Sequence, residues 1–171
     1  MSEPEQTAGD GSRAGVPSPD TAADTDTATG ATCSIERALT VLGERWTCLI
    51  LRETHAGRTR FAEIRQSLGI APNLLTTRLT TLVDSGVLEK RSYREPGERT
   101  RFSYHLTDSG RQALIVLGAL QQWGDQHVPR PEGPSAERRT RSTGELLDVS
   151  FTTPGGTAVP MSDVTFVPTG R

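Results

Sequence analysis

The chain has 171 residues, a formal net charge of −2 and only 33% hydrophobic residues, which suits one packed domain with polar flanks. No apolar run approaches the roughly 20 residues of a membrane span, and the first thirty residues carry no apolar stretch of the kind a secretory signal needs. A cytoplasmic protein with no membrane contact is therefore expected.

The near-neutral total hides a segregation. Residues 1–32 hold six acids against the single Arg13, a net of −5, whereas residues 57–101 hold nine basic residues against five acids, a net of +4. A basic middle is what a nucleic-acid-binding face requires, although charge runs also occur on plainly solvated faces. Residues 1–31, rich in Thr, Ala, Asp, Gly, Ser and Pro, cannot bury enough apolar area to offset their ordering entropy and read as a disordered acidic tail.

Order begins at Ser34, placed to cap a helix in which Ile35, Ala38, Leu39 and Leu42 recur at helical spacing until Gly43. A second helix over 44–55 carries Trp46, Cys48, Leu49, Ile50 and Leu51, more than one stripe, which suits a central helix or a subunit contact. A third, after Thr59, sets Phe61, Ile64 and Leu68 on one face, with Gly69 as its left-handed stop. Pro72 stands in the first turn of a fourth, whose Leu75, Leu79 and Leu82 form a buried stripe before Gly86. Two short amphipathic helices joined by a tight glycine-containing turn are the pattern of a helix-turn-helix.

After Gly86 the period changes. Residues 87–93 and 101–106 read as strands about a turn at Arg94-Glu95-Pro96-Gly97-Glu98, giving a hairpin with an Arg-rich tip. Thr107-Asp108 then opens a last long helix bearing Leu114, Leu117, Leu120 and Trp123, which ends before Pro129. The expected fold class is mainly α with a small β-hairpin wing, a winged helix-turn-helix over 32–128. Residues 129–143 read as a linker and 144–171 as a C-terminal β-hairpin extension, in which 146–152 runs out, Pro154-Gly155-Gly156 turns and 157–159 returns. A lone hairpin is marginal in water, so this one must dock on something.

A winged helix lays its second helix-turn-helix helix in the major groove while the hairpin touches flanking backbone or minor groove. Here the polar side of that helix carries Asn73, Thr76, Thr77, Arg78 and Thr80, short groups that suit base edges and phosphates and permit close approach. Threonine is a poor helix former, so Thr76, Thr77, Thr80 and Thr81 in one helix ask for a reason beyond an ordinary polar face. Arg60, at the start of the third helix, is placed to reach phosphate. Arg99 and Arg101 on the wing suit the narrow, negative minor groove. Double-stranded DNA is the expected partner. The three histidines, His55, His105 and His127, lie apart without metal-ligand spacing, and no phosphate loop or nucleophile elbow is present. Neither an enzyme nor a bound cofactor or metal is expected. The alternative is a winged-helix protein-interaction module without DNA binding.

Several ordered motifs carry a family likeness. Residues 33–39 (CSIERAL), 43–47 (GERWT), 60–64 (RFAEI), 75–79 (LTTRL), 85–91 (SGVLEKR) and 104–110 (YHLTDSG) together resemble the HxlR-type branch of MarR-like winged-helix regulators, over about residues 33–128. The resemblance implies a homodimer built from the first and last helices on a palindromic operator, acting mostly as a repressor. Two departures stand out: Ala71 replaces the serine common before the recognition helix, removing a cap, and Ser34 replaces the proline common after the first cysteine. Cys33 occupies the position that resembles the redox-sensing cysteine of some relatives, and a helix start favours the thiolate. An oxidant, or a small molecule near Trp46 or Trp123, is the expected effector. Cys48 reads as a core residue.

Overall fold

The computed structural model describes residues 33–168. The acidic segment read as a disordered tail lies outside them.

Helix α1 (Ser34–Leu42) starts one residue earlier than its serine suggested. Cys33, extended at φ −76° and ψ 127°, takes the cap position without a side-chain capping bond. Ser34 Oγ instead accepts from Arg37 Nη2 at 2.9 Å. None of α1 is buried, and Ile35 and Leu39 face outward. Helix α2 (Arg45–His55) is the central element, packing against α1, the next two helices, the second wing strand and the last helix. Its Ile50 and Leu51 are completely buried, with Trp46, Cys48 and Leu49 half-buried beside them.

Helix α3 (Phe61–Leu68) contributes Ile64 to the core and stops at Gly69, whose φ of 62° is left-handed backbone that a side chain would strain. Ile70 plugs the turn into the core. Helix α4 (Pro72–Asp84) follows, with Pro72 at N1 and Leu75, Leu79 and Leu82 buried. As expected from Ala71, no side chain caps its start.

The wing is an antiparallel hairpin of β1 (Leu88–Tyr93) and β2 (Arg101–Leu106), in register from Leu88↔Leu106 to Tyr93↔Arg101. A third, one-residue edge joins it, because Arg60 bridges Ser103 and the Tyr104 N–H donates to the Thr59 carbonyl at 2.7 Å. This ties the start of α3 to the wing. Thr107 closes the other end. Its hydroxyl reaches the Gly86 and Val87 carbonyls at 2.7 and 3.1 Å and accepts the Gly110 N–H at 3.2 Å.

The expected single last helix is two segments, α5 (Asp108–Gln112) and α6 (Leu114–His127), parted at Ala113. Ala113 remains right-handed, and backbone bonds from its N–H to Ser109 and from Leu117 to its carbonyl carry the chain through. Gly110 is buried, and a Cβ there would stand 2.2 Å from the Val87 carbonyl oxygen.

Beyond α6 the chain is tied down within the stretch read as linker. Arg139 bridges Leu146, and the Leu147 N–H donates to the Arg138 carbonyl at 2.8 Å. Of the expected outward strand, only β3 (Phe151–Thr152) pairs with β4 (Ala158–Val159), because Leu146 is already engaged with Arg139. A short 3-10 turn at Met161–Asp163 follows. The extension docks on α6. The Gln122 amide both donates to the Val149 carbonyl at 2.9 Å and accepts its N–H at 2.8 Å, and Arg138 lies 3.6 Å from Asp125.

Candidate nucleic-acid interface

The exposed side of α4 is a single stripe. Asn73, Thr76, Thr77 and Thr80 are spaced three and four apart, one face of a helix, and all four are solvent-exposed. The Thr76 hydroxyl donates to the Pro72 carbonyl at 2.9 Å, and Thr77 to Asn73 at 3.1 Å. This back-bonding satisfies hydroxyl donors that would otherwise compete with the helix. It also fixes what each threonine offers outward: lone pairs that accept, and a methyl group. Among the described residues the Asn73 and Thr80 side chains make no hydrogen bond, so both stay available.

Arg78 is not part of that stripe. It lies one position from Leu79 and four from Leu74, on the flank that meets α2, and its side chain is 22% exposed. Its Nη2 sits 2.9 Å from Glu44 Oε2, at the cap of α2, and its Nε is buried without a hydrogen-bond partner. Polarity alone groups Arg78 with the outward residues; its helical angle places it on the flank, half-buried against α2.

Arg60 lies at the cap of α3 and reaches the wing, 2.9 Å from Glu95 and 4.7 Å above the Tyr93 ring. Glu63 holds this start by accepting the Thr59 and Arg60 N–H groups at 3.1 and 3.0 Å. Arg101 pairs with Glu98 at 2.7 Å, Arg91 pairs with Glu89, and Arg94 donates to the Glu98 carbonyl at 3.0 Å. Arg99 is exposed on the same tip. Arg60, Arg99 and Arg101 thus belong to the wing, whereas Asn73, Thr76, Thr77 and Thr80 belong to α4. Glu44, Tyr93 and Glu95 escape a sequence reading, because each acts through a partner on another element.

A buried carboxylate fixes α3 against α2. Glu53 accepts from Ser67 Oγ at 2.5 Å and pairs with Arg52 at 2.6 Å and Arg58 at 3.0 Å. Burial works to raise its pKa, but the bonds from Ser67 and Arg52 and the charges of Arg52 and Arg58 outweigh that and hold it below the ordinary carboxylate value. Its position three after Ile50 and two after Leu51 was the available signal. His55, bonded to the Gly110 carbonyl at 3.2 Å, is pushed below the usual imidazole value by burial. Cys33 is exposed at the start of α1, 15 positions before Cys48, which is half-buried with Sγ 3.3 Å from the Leu42 carbonyl. Burial raises the Cys48 thiol.

A family model for HxlR-like helix-turn-helix proteins matches residues 41–132, more than half of the chain. The chain belongs to the HxlR-like helix-turn-helix family. An HTH-type transcriptional regulator of Mycobacterium tuberculosis is 43% identical over 115 residues, spanning 67% of this chain and 72% of the relative. One from Methanothermobacter thermautotrophicus is 33% identical over 101 residues, 58% of this chain and 76% of the relative. Among solved structures, PA1607, described as a transcription factor, superposes with a TM-score of 0.70 at 31% identity, covering 81% of this HxlR-like chain and 96% of its own. The redox regulator HypR in its reduced form superposes at 0.51 with 25% identity, covering 56% and 94%. The HxlR-like family is one of transcriptional regulators, not of enzymes. Among the described residues no helix is long and apolar enough to cross a membrane.

Proposed function

We propose that the protein is a cytoplasmic, sequence-specific DNA-binding repressor that acts as a homodimer on a palindromic operator. The observation that carries this reading is the stripe of Asn73, Thr76, Thr77 and Thr80, exposed on the second helix of a helix-turn-helix. In this reading α4 enters the major groove. Asn73 reads base edges as donor and acceptor, and the threonine methyls meet thymine methyls. Arg60, Arg99 and Arg101 contact flanking phosphates and the minor groove.

The dimer reading is supported by exposed apolar groups on the first and last helices: Ile35 and Leu39 on α1, and Leu114, Ile115, Leu120 and Trp123 on α6. Two-fold pairing would set the recognition helices about 34 Å apart, one DNA turn. The signal in this reading is an oxidant acting at exposed Cys33, in keeping with the redox regulator among the structural neighbours. One observation favours the second reading, a protein-interaction module: Arg60, Arg91 and Arg101 are each paired with a carboxylate of the wing region.

The test is binding to the duplex upstream of the protein's own gene across a salt series, with and without diamide. Selective, salt-steep binding that falls about tenfold, or about 1.4 kcal/mol, in Thr76→Ala/Thr77→Ala supports the regulator. Salt-insensitive binding no better than to shuffled DNA supports the interaction module instead. Equal diamide response in Cys33→Ser and wild type removes the sensing role.

A further inference from the structure

We infer that Glu44 and Arg78 form a positioning pair that sets the rotation of the recognition helix, so that Arg78 serves DNA reading without touching DNA. The inference rests on the DNA-binding reading of α4.

Three observations lead to it. First, α4 is weakly anchored by polar contacts. Its start has no side-chain cap, and Thr76, Thr77 and Thr81 bond within the helix. Among the described residues, the ion pair of Arg78 with Glu44 is the one side-chain polar link from α4 to another helix or strand. Second, the remaining anchor is the leucine stripe of Leu75, Leu79 and Leu82. Apolar packing is non-directional, so it resists lifting the helix away more than it resists rolling it. A roll would turn Thr76 and Thr77 away from any base edge. An ion pair made from the helix flank opposes that roll, because turning α4 would carry the Arg78 guanidinium away from Glu44. Third, the arginine of this pair differs from those paired on the wing. Arg60–Glu95 and Arg101–Glu98 leave about half of each side chain in water, at 47%/46% and 57%/51% exposure, and such pairs hold little. In the Arg78–Glu44 pair the carboxylate side is 58% exposed, but the Arg78 side chain is 22% exposed with its Nε buried, so the arginine is constrained by packing as well as by charge.

The location gives the pair a further consequence. Glu44 caps α2 directly after Gly43, the residue that closes α1. The Glu44 carboxylate therefore joins the α1–α2 junction to the reading helix. A displacement of the α1–α2 junction would therefore be felt at α4 through this contact.

The experiment compares full-length wild type, Glu44→Gln, Arg78→Gln and the double variant by two readouts. One is affinity for the upstream duplex and a shuffled duplex across a salt series. The other is amide hydrogen exchange of residues 72–84 without DNA. A positioning pair predicts that each single variant loses roughly fivefold in selectivity, the size of a modest pairwise coupling, and that the double loses no more than either single. The salt slope stays at the wild-type value, and α4 exchange rises in both single variants. The proposal is overturned if Arg78→Gln lowers the salt slope by about one while Glu44→Gln does not weaken binding, the pattern of a phosphate contact. It is also overturned if α4 exchange is unchanged in both. Should wild type show no preference for its own duplex, the DNA reading falls, and the exchange measurement still decides the pair.

Discussion

Thr107 joins three parts of the winged helix: the Gly86 turn that leaves α4, the end of the wing and the start of α5. Replacing it with valine keeps the shape and removes the hydroxyl. The loss can be built from the contacts. The hydroxyl has one proton, so its approaches to the Gly86 and Val87 carbonyls at 2.7 and 3.1 Å count as one shared donated bond. A donated bond of this kind contributes about 1 kcal/mol. The accepted bond from Gly110 N–H, at 3.2 Å, is the helix cap, worth about another 1 kcal/mol. The two carbonyls are not orphaned, because Gly86 is exposed and the Val87 carbonyl keeps the Thr107 N–H at 3.2 Å, and the cost of leaving the buried Gly110 N–H without its acceptor is contained in the cap figure. The expected loss is therefore about 2 kcal/mol for Thr107→Val, and under about 0.5 kcal/mol for Thr107→Ser, which keeps both bonds. Urea unfolding followed by far-UV circular dichroism measures it. The midpoint should fall by about 1 M with an unchanged slope. A valine variant within about 0.5 kcal/mol of wild type would refute the argument that these bonds fix the wing's base.

Acid should weaken the fold in two stages. His55 has a depressed folded pKa, so its stabilising effect is full above the unfolded value of about 6.5 and is lost as pH falls through the lower folded value. Glu53 follows the same sign below about 4.3, and Glu53→Gln should abolish the second stage of urea-midpoint loss while leaving the first. Gly110→Ala should destabilise by about 1–3 kcal/mol, since the new Cβ meets a backbone oxygen that cannot move alone, and a thermal melt unchanged from wild type would contradict the packing. In native protein a maleimide reagent should label Cys33 well ahead of Cys48; equal rates would contradict the burial of Cys48.

Helix punctuation was legible because glycine and proline act locally. Gly69, Pro72 and Gly86 stop and start the helices where their backbone preferences demand. The leucine stripes of α4 were legible from period alone. What joins distant residues was not. Nothing in the sequence pairs Glu44 with Arg78, or Arg60 with Glu95, because those partners meet only after the core has set the helix angles. Polarity alone groups Arg78 with the outer threonines, and only its angle from Leu75 and Leu79 places it on the flank toward α2. The break at Ala113 has no sequence mark, since alanine is a good helix former and stays right-handed there. The short pairing of β3 was hidden for a similar reason: alternation from Leu146 onward cannot reveal that Arg139 takes the first position.

The contacts that hold the C-terminal extension fall on Gly118, Gln121, Gln122 and Asp125 of α6. Those on Gln121, Gln122 and Asp125 are polar, and Val149 packs over Gly118. Lifting the extension away would return polar groups to water and open no hole in the nine-residue apolar core, which lies wholly between Ile50 and Leu88. Removing residues 144–171 should therefore leave that core packed and the winged helix in its shape. The glutamine that grips Val149 through both its amide groups acts as a socket rather than as a foundation.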